Sequence, residues 1–191
     1  MASAVIELII FSLPSLAYLR KLRRDGHSPV AARAAVGWRA GGARCYGLAA
    51  LVTAALLPLT YIGLDAVPAT ALRGSAGLHV TYGRASTAAG YAAVALLATA
   101  EEILFRGLIA GVLFRRYGFA VGNVVQAFIF LAPHALLLLV SAGFWPLLPV
   151  QFAAGWLLGL LRWRSDSIGP CSAAHVAANL LAPLLLAAGT G

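Results

Sequence analysis

Charge is scarce in this chain. Only 10% of its 191 residues are Asp, Glu, Lys or Arg, and just six are acidic. Soluble domains carry about 25% charged residues, so a soluble globular fold is excluded. Cysteine is scarcer still: Cys45 and Cys171 are too few for a disulfide framework. No internal repeat or low-complexity tract stands out. The apolar N-terminal stretch MASAVIELIIFSLPSLAYLR has no basic region ahead of its apolar run and carries Glu7 within it, so it reads as an uncleaved first span. Hydrophobicity is what the chain has in abundance, with 61% hydrophobic residues and a mean hydropathy of +0.88. An integral, multi-pass membrane protein is expected.

Apolar runs between Arg, Gly and Pro clusters place spans at 3–19, 45–66, 86–114, 121–140, 145–161 and 168–188. The expected fold is therefore all-α: one polytopic domain over 1–191, a bundle of about six transmembrane helices. The 86–114 run would reach some 43 Å, so it is either one tilted helix or a helix broken near its glutamates. The formal charge of +8 does not indicate nucleic acid, because the basic residues sit beside apolar segments rather than on a soluble face. Arg20, Lys21, Arg23, Arg24, Arg33, Arg39 and Arg44 crowd the 20–44 connection against one acid, Asp25, which makes this connection cytoplasmic, at the plasma membrane. Counting spans puts Arg115, Arg116, Arg162 and Arg164 on the same side, Arg73 and Arg84 on the other, and both termini outside. Binding of anionic lipid or an acidic peptide is an alternative use of this connection, although topology alone accounts for it.

Three charges interrupt the third span, in TAEEILFRGLIAG. Unpaired at mid-bilayer, each would cost about 2.5 to 3.5 kcal/mol, so such residues mark a site by default. Glu102 and Arg106, four apart, fall within roughly 40° of each other on a helix and suit an ion pair. Glu101 is displaced from both, which makes it the better candidate base. In the fourth span His134 directly follows Pro133, whose ring frees a carbonyl near Ile129 and opens the helix beside the imidazole. Phe130, one turn earlier, reads as packing. Gln126 is either a supporting donor or an ordinary interhelical hydrogen bond. The last span presents His175 and Asn179 on one face, and all three helices carry these groups at compatible depths of about 10 to 20 Å. Simple helix adhesion does not require two acids, an arginine and two histidines. A Cys171–His175 nucleophile pair is disfavoured because no third group orients the imidazole. Gly107, Gly111, Gly155 and Gly159 have the spacing of close helix approaches.

Glu101, Glu102 and Arg106 form E-E-x-x-x-R, Phe130 and His134 form F-x-x-x-H, and His175 and Asn179 form H-x-x-x-N. In this order, each on an apolar helix, the three motifs resemble the CAAX protease and bacteriocin-processing (Abi) family of intramembrane proteases over about residues 86–188. The resemblance implies a multi-helix membrane bundle and an endopeptidase, and the family includes the enzyme that trims the last three residues of prenylated proteins. Carried over by motif, Glu101 with His134 would activate the attacking water, and His175 with Asn179 would stabilise the oxyanion. Glu102 and Arg106 would organise the site or hold substrate. The implied partners are the bilayer and a membrane-anchored peptide or protein, prenylated or otherwise hydrophobic. Zinc on Glu101, His134 and His175 is an alternative, but H-E-x-x-H is absent and zinc would leave Asn179 without a role, so no cofactor is favoured. The rival functions are a small ion or proton transporter and a non-catalytic immunity or scaffold member of the same fold.

Overall fold

A computed structural model describes residues 1–74 and 87–189, with side chains described for 1–71 and 87–182. Among the described residues the fold is all helical, as expected. Helix α1, Ala2–Arg24, ends with Lys21, Arg23 and Arg24 in its last turn, where cations complement the helix dipole. A short α2, Pro29–Ala35, starts with proline at its first position, and the Ser28 hydroxyl accepts from Ala31 N at 3.1 Å. Then come α3, Ala43–Asp65, and α4, Ala69–Gly74. The Thr87 hydroxyl caps α5, Ala88–Glu102, by accepting from Gly90 N at 3.1 Å. A π-helical segment, Ile103–Ile109, follows without a break and leads into α6, Ala110–Ala135. The remaining helices are α7, Leu137–Val140, α8, Leu147–Ser165, and α9, Gly169–Gly189, with a 3₁₀ turn at Ala142–Phe144.

Three described stretches are long and apolar enough to cross a membrane: Ala2–Arg24, Ala43–Asp65 and the 53 residues Ala88–Val140. The last is far longer than one crossing needs, about 20 residues. It is divided at Gly118, whose φ of 73° and ψ of 175° interrupt α6. A glycine is needed there because an L side chain rarely adopts that φ. The expected third span therefore runs on past 114 through Arg115 and Arg116, whose long side chains can reach toward the interface from a helix end. It is neither a plain tilted helix nor a broken one, but a continuous helix whose register changes directly after the glutamates. The expected 121–140 span stops being one helix at Ala135, just after Pro133 and His134. The run expected to begin at 145 becomes helical at Leu147.

The bundle is built on small residues. Helix α6 packs on α8, α3 on α8 and α9, and α1 and α9 on α5. Ala98, Ala100, Ala110, Ala127 and Ala174 are almost fully buried between them. Gly155 and Gly159 bring α8 against α6, with Asn123 and Gln126 filling the space beside Gly159. Gly107 and Gly111 instead face the backbone carbonyls of Val36 and Ala35, so their approach is to the basic connection rather than to another span. That connection docks on one end of the bundle. Ile168 N donates to Gly37 O at 3.0 Å, Ser167 Oγ to Arg39 O at 2.7 Å, and Asp166 pairs with both Arg39 and Arg162. The arginines expected to share a side, 39, 115 and 162, do gather at this end, whereas Arg84 and the side chain of Arg73 lie outside the described residues.

A Cβ at Gly159 would overlap Asn123 Oδ1 and Gln126 Nε2. Gly159→Ala should therefore lower the thermal midpoint in detergent, overpacking of about 1 to 3 kcal/mol outweighing the gain of roughly 1 kcal/mol in helix propensity. Gly47→Ala, with nothing within 4 Å, is the control and should leave the midpoint unchanged or raised. Equal midpoints for the two variants would contradict this packing.

Candidate active site

The site is assembled where α5 meets the π segment, against α6, α8 and α9. Glu102 and Arg106 are completely buried, and Arg106 Nη1 donates to Glu102 Oε1 at 2.8 Å. Partners offset part of the cost of burying such a pair, although Glu102 Oε2 and Arg106 Nε have none among the described residues. Arg106 Nη2 reaches the Gly155 carbonyl at 3.4 Å, and the guanidinium lies over the Phe130 ring with Cζ 4.1 Å from its centroid. Phe130 is thus more than packing: its face takes the cation, and its ring stands 4.8 Å from His134 and 6.1 Å from His175, centroid to centroid.

Glu102 also holds His175, whose Nδ1 lies 2.8 Å from the same Oε1 that accepts from Arg106. A carboxylate already paired with arginine is an acceptor, so Nδ1 carries the proton and donates. Nε2 then faces Glu101, 3.9 Å from Oε2. That distance is too long for a direct hydrogen bond. His134 Nδ1 is 2.9 Å from the Phe130 carbonyl, which can only accept, so its Nε2 is likewise left as the free nitrogen. His134 lies within electrostatic reach of Glu101, His175 and Arg106. Asn179 follows one turn after His175, half-buried. The fold thus brings Glu101, Glu102, Arg106, Phe130, His134 and His175 to one locality, with Asn179 on the adjacent turn.

The π register has its own supports. Ser15 Oγ donates to the Ile103 carbonyl at 3.0 Å, and the buried Arg162 donates through Nε to the Arg106 carbonyl at 3.1 Å. Both acceptors belong to the segment whose hydrogen-bonding register shifts, and such segments are frequent at functional sites. Ser15 and Arg162 were not expected at the site. The signal for Arg162 was its place in the last turn of an apolar helix, four residues before Asp166, a partner at helical spacing. Gln126 resolves as an interhelical clamp: Nε2 donates to Gly155 O at 2.7 Å and to Asn123 Oδ1 at 2.9 Å, and Asn123 Nδ2 donates to Trp156 O at 3.1 Å. Gly155 O therefore serves both this clamp and Arg106. The Cys171 thiol donates to the Leu158 and Ser167 carbonyls, both at 3.5 Å, and packs between α8 and α9. Among the described residues no three His, Cys, Asp or Glu side chains are gathered closely enough to hold a metal ion.

Fold and site together define an integral membrane protein with a carboxylate and imidazole cluster held inside its helical bundle. The type II CAAX prenyl endopeptidase Rce1-like family model matches residues 83–181, just over half of the chain and all of the clustered residues, so the chain belongs to that family. No curated protein and no solved structure matches it. Membership implies a peptidase working on a membrane-anchored prenylated substrate, and it does not favour the transporter alternative.

Arg106→Leu should leave Glu102 as an uncompensated buried charge and lower stability by about 3 to 5 kcal/mol. Glu102→Gln combined with Arg106→Leu should recover part of that loss, as read from denaturation midpoints in detergent. A double variant that loses the sum of the two single losses would contradict the coupling of the pair.

Proposed function

We propose that this protein is a glutamate-type intramembrane endopeptidase that hydrolyses a peptide bond near the lipidated or hydrophobic anchor of a membrane-bound substrate. The single observation that carries the mechanism is the unequal use of the two adjacent glutamates. Glu102 Oε1 is held by both Arg106 and His175, whereas Glu101 faces His175 Nε2 across 3.9 Å and makes no hydrogen bond among the described residues. Glu101 takes the proton of the attacking water, assisted by the free Nε2 of His134, and oxygen attacks the scissile carbonyl. The developing oxyanion takes a hydrogen bond from the amide of Asn179, and from His175 Nε2 when that nitrogen carries a proton, Nδ1–H staying on Glu102. The proton then passes to the leaving amine as the C–N bond breaks. Glu101 Oε2 and His175 Nε2, 3.9 Å apart, are close enough to address two oxygens of one tetrahedral centre lying beside them.

The proposed mechanism is metal-free. Zinc would need Glu101 and the Nε2 atoms of His134 and His175 drawn closer together than they stand, and it would leave Asn179 idle. The site lies within the membrane-spanning part of a single domain, with the 20–44 connection on the cytoplasmic side of the plasma membrane, so substrates reach it laterally from the bilayer and soluble peptides are poor substrates.

The test is cleavage of membrane-anchored peptides, prenylated and unprenylated, by detergent-purified protein with and without a strong zinc chelator. Glu101→Ala should reduce turnover by about 10² to 10⁴ and Asn179→Ala by about 10² to 10³, with unchanged elution and thermal midpoint. Chelator should leave wild-type turnover intact. Full activity in Glu101→Ala would overturn the assignment, and chelator-sensitive turnover restored by zinc would overturn the metal-free mechanism.

A further inference from the structure

A cavity of about 780 Å³ opens at the basic end of the bundle, between α1, α2, α6 and α8. Its lining includes Tyr18, His27, Phe114, Arg115, Arg162 and Trp163, and none of the clustered residues of the candidate site. We propose that this cavity seats an anionic phospholipid, with the phosphate at Arg115 and a hydrocarbon chain along the apolar wall. The inference is independent of the cleavage mechanism.

The charge balance points to an anion. Arg115 Nη1 donates to the Ala35 carbonyl at 2.6 Å and Nη2 to the Tyr18 hydroxyl at 3.2 Å, both neutral acceptors. Among the described residues no carboxylate pairs with it, so its guanidinium is oriented without being neutralised, and three of its five N–H donors are unspent. Arg162 also lines the cavity. Asp166, the acid that pairs with Arg162, lines the cavity too and is shared with Arg39, so a single carboxylate there serves two guanidiniums and leaves Arg115 unneutralised. His27 adds a further nitrogen donor at the mouth, where α1 turns into α2.

The walls point to a lipid rather than a soluble anion. Leu22, Phe114 and Trp163 line them, with the Phe114 and Trp163 rings edge to face at 5.7 Å, and alanines of α2 complete the surface. A small hydrophilic phosphate would leave that surface wet, whereas an acyl chain covers it. The end of a membrane bundle rich in arginine is where anionic headgroups lie, and basic pockets between membrane helices are suited to hold them.

Bromine-labelled acyl chains quench tryptophan on contact, and Trp163 is in the wall. Full-length protein is reconstituted in phosphatidylcholine vesicles containing bromine-labelled phosphatidylglycerol or bromine-labelled phosphatidylcholine. Quenching of Trp163 is taken as the difference between wild type and Trp163→Phe. Half-maximal quenching should need about fivefold less phosphatidylglycerol than phosphatidylcholine, the worth of roughly one unpaired arginine near the surface. Arg115→Gln should remove most of that preference, His27→Gln part of it, and raised salt should weaken it in the unmodified protein, where folding is not in question. Equal quenching by the two headgroups in wild type, or a preference that survives both substitutions and high salt, would overturn the proposal. So would full relief of quenching by soluble glycerol phosphate, which would assign the cavity to a free anion.

Discussion

Everything at the centre of this bundle depends on making two ionic groups, Glu102 and Arg106, tolerable where water is excluded. Glu102 and Arg106 cancel most of their charge on each other at 2.8 Å, yet a bare pair would still lack partners for the rest of the guanidinium and carboxylate. The surrounding helices supply part of this, and Glu102 Oε2 and Arg106 Nε are left without a hydrogen-bond partner among the described residues. Phe130 lends the face of its ring, Gly155 a carbonyl, and His175 an N–H. These come from α6, α8 and α9, so the ion pair ties together elements that are distant in sequence, and any one helix that moved would leave buried charge unserved. A local neutralisation problem becomes a constraint on the whole arrangement.

The π segment is part of the same solution. Its shifted register leaves carbonyls available to side chains, and Ser15 from α1 and Arg162 from α8 occupy two of them. Arg162 is also the link between the basic end and the interior: one edge of its guanidinium holds the backbone of Arg106, while the other pairs with Asp166 on the turn that carries the docked 20–44 connection. A residue whose sequence context reads as a topological marker is therefore also a strut.

Much of this was legible in the sequence where the physics is local. Apolar run lengths place the helices to within a few residues, because span length is set by bilayer thickness and the rise of a helix. The Glu102–Arg106 pair is an i, i+4 contact and follows from helical geometry, as does the shared face of His175 and Asn179. What stayed hidden depends on tertiary contact. Nothing near His175 announces that Glu102, 73 residues earlier, is its partner. Gln126 admitted two readings until α8 was placed beside it, and the arrest of the fourth span after His134 is decided by packing around a proline that many membrane helices accommodate. The register change after Glu102 has no proline or glycine at its start to mark it, and its supports come from 88 and 56 residues away.

Two neighbouring carboxylates are chemically identical in the unfolded chain, and the fold makes them different. Adjacent positions on a helix point about 100° apart, so one faces the arginine a turn later and the other does not. Glu102, fully buried, spends one oxygen on two donors, and the resulting structure fixes the tautomer and tilt of His175. Glu101 remains partly exposed, opposite the imidazole nitrogen that the first contact left free. Separating the roles of paired carboxylates by environment is a general route to acid and base chemistry on one scaffold. Here the separation costs no extra residue, because a single turn of helix gives Glu102 to the buried pair and leaves Glu101 facing His175.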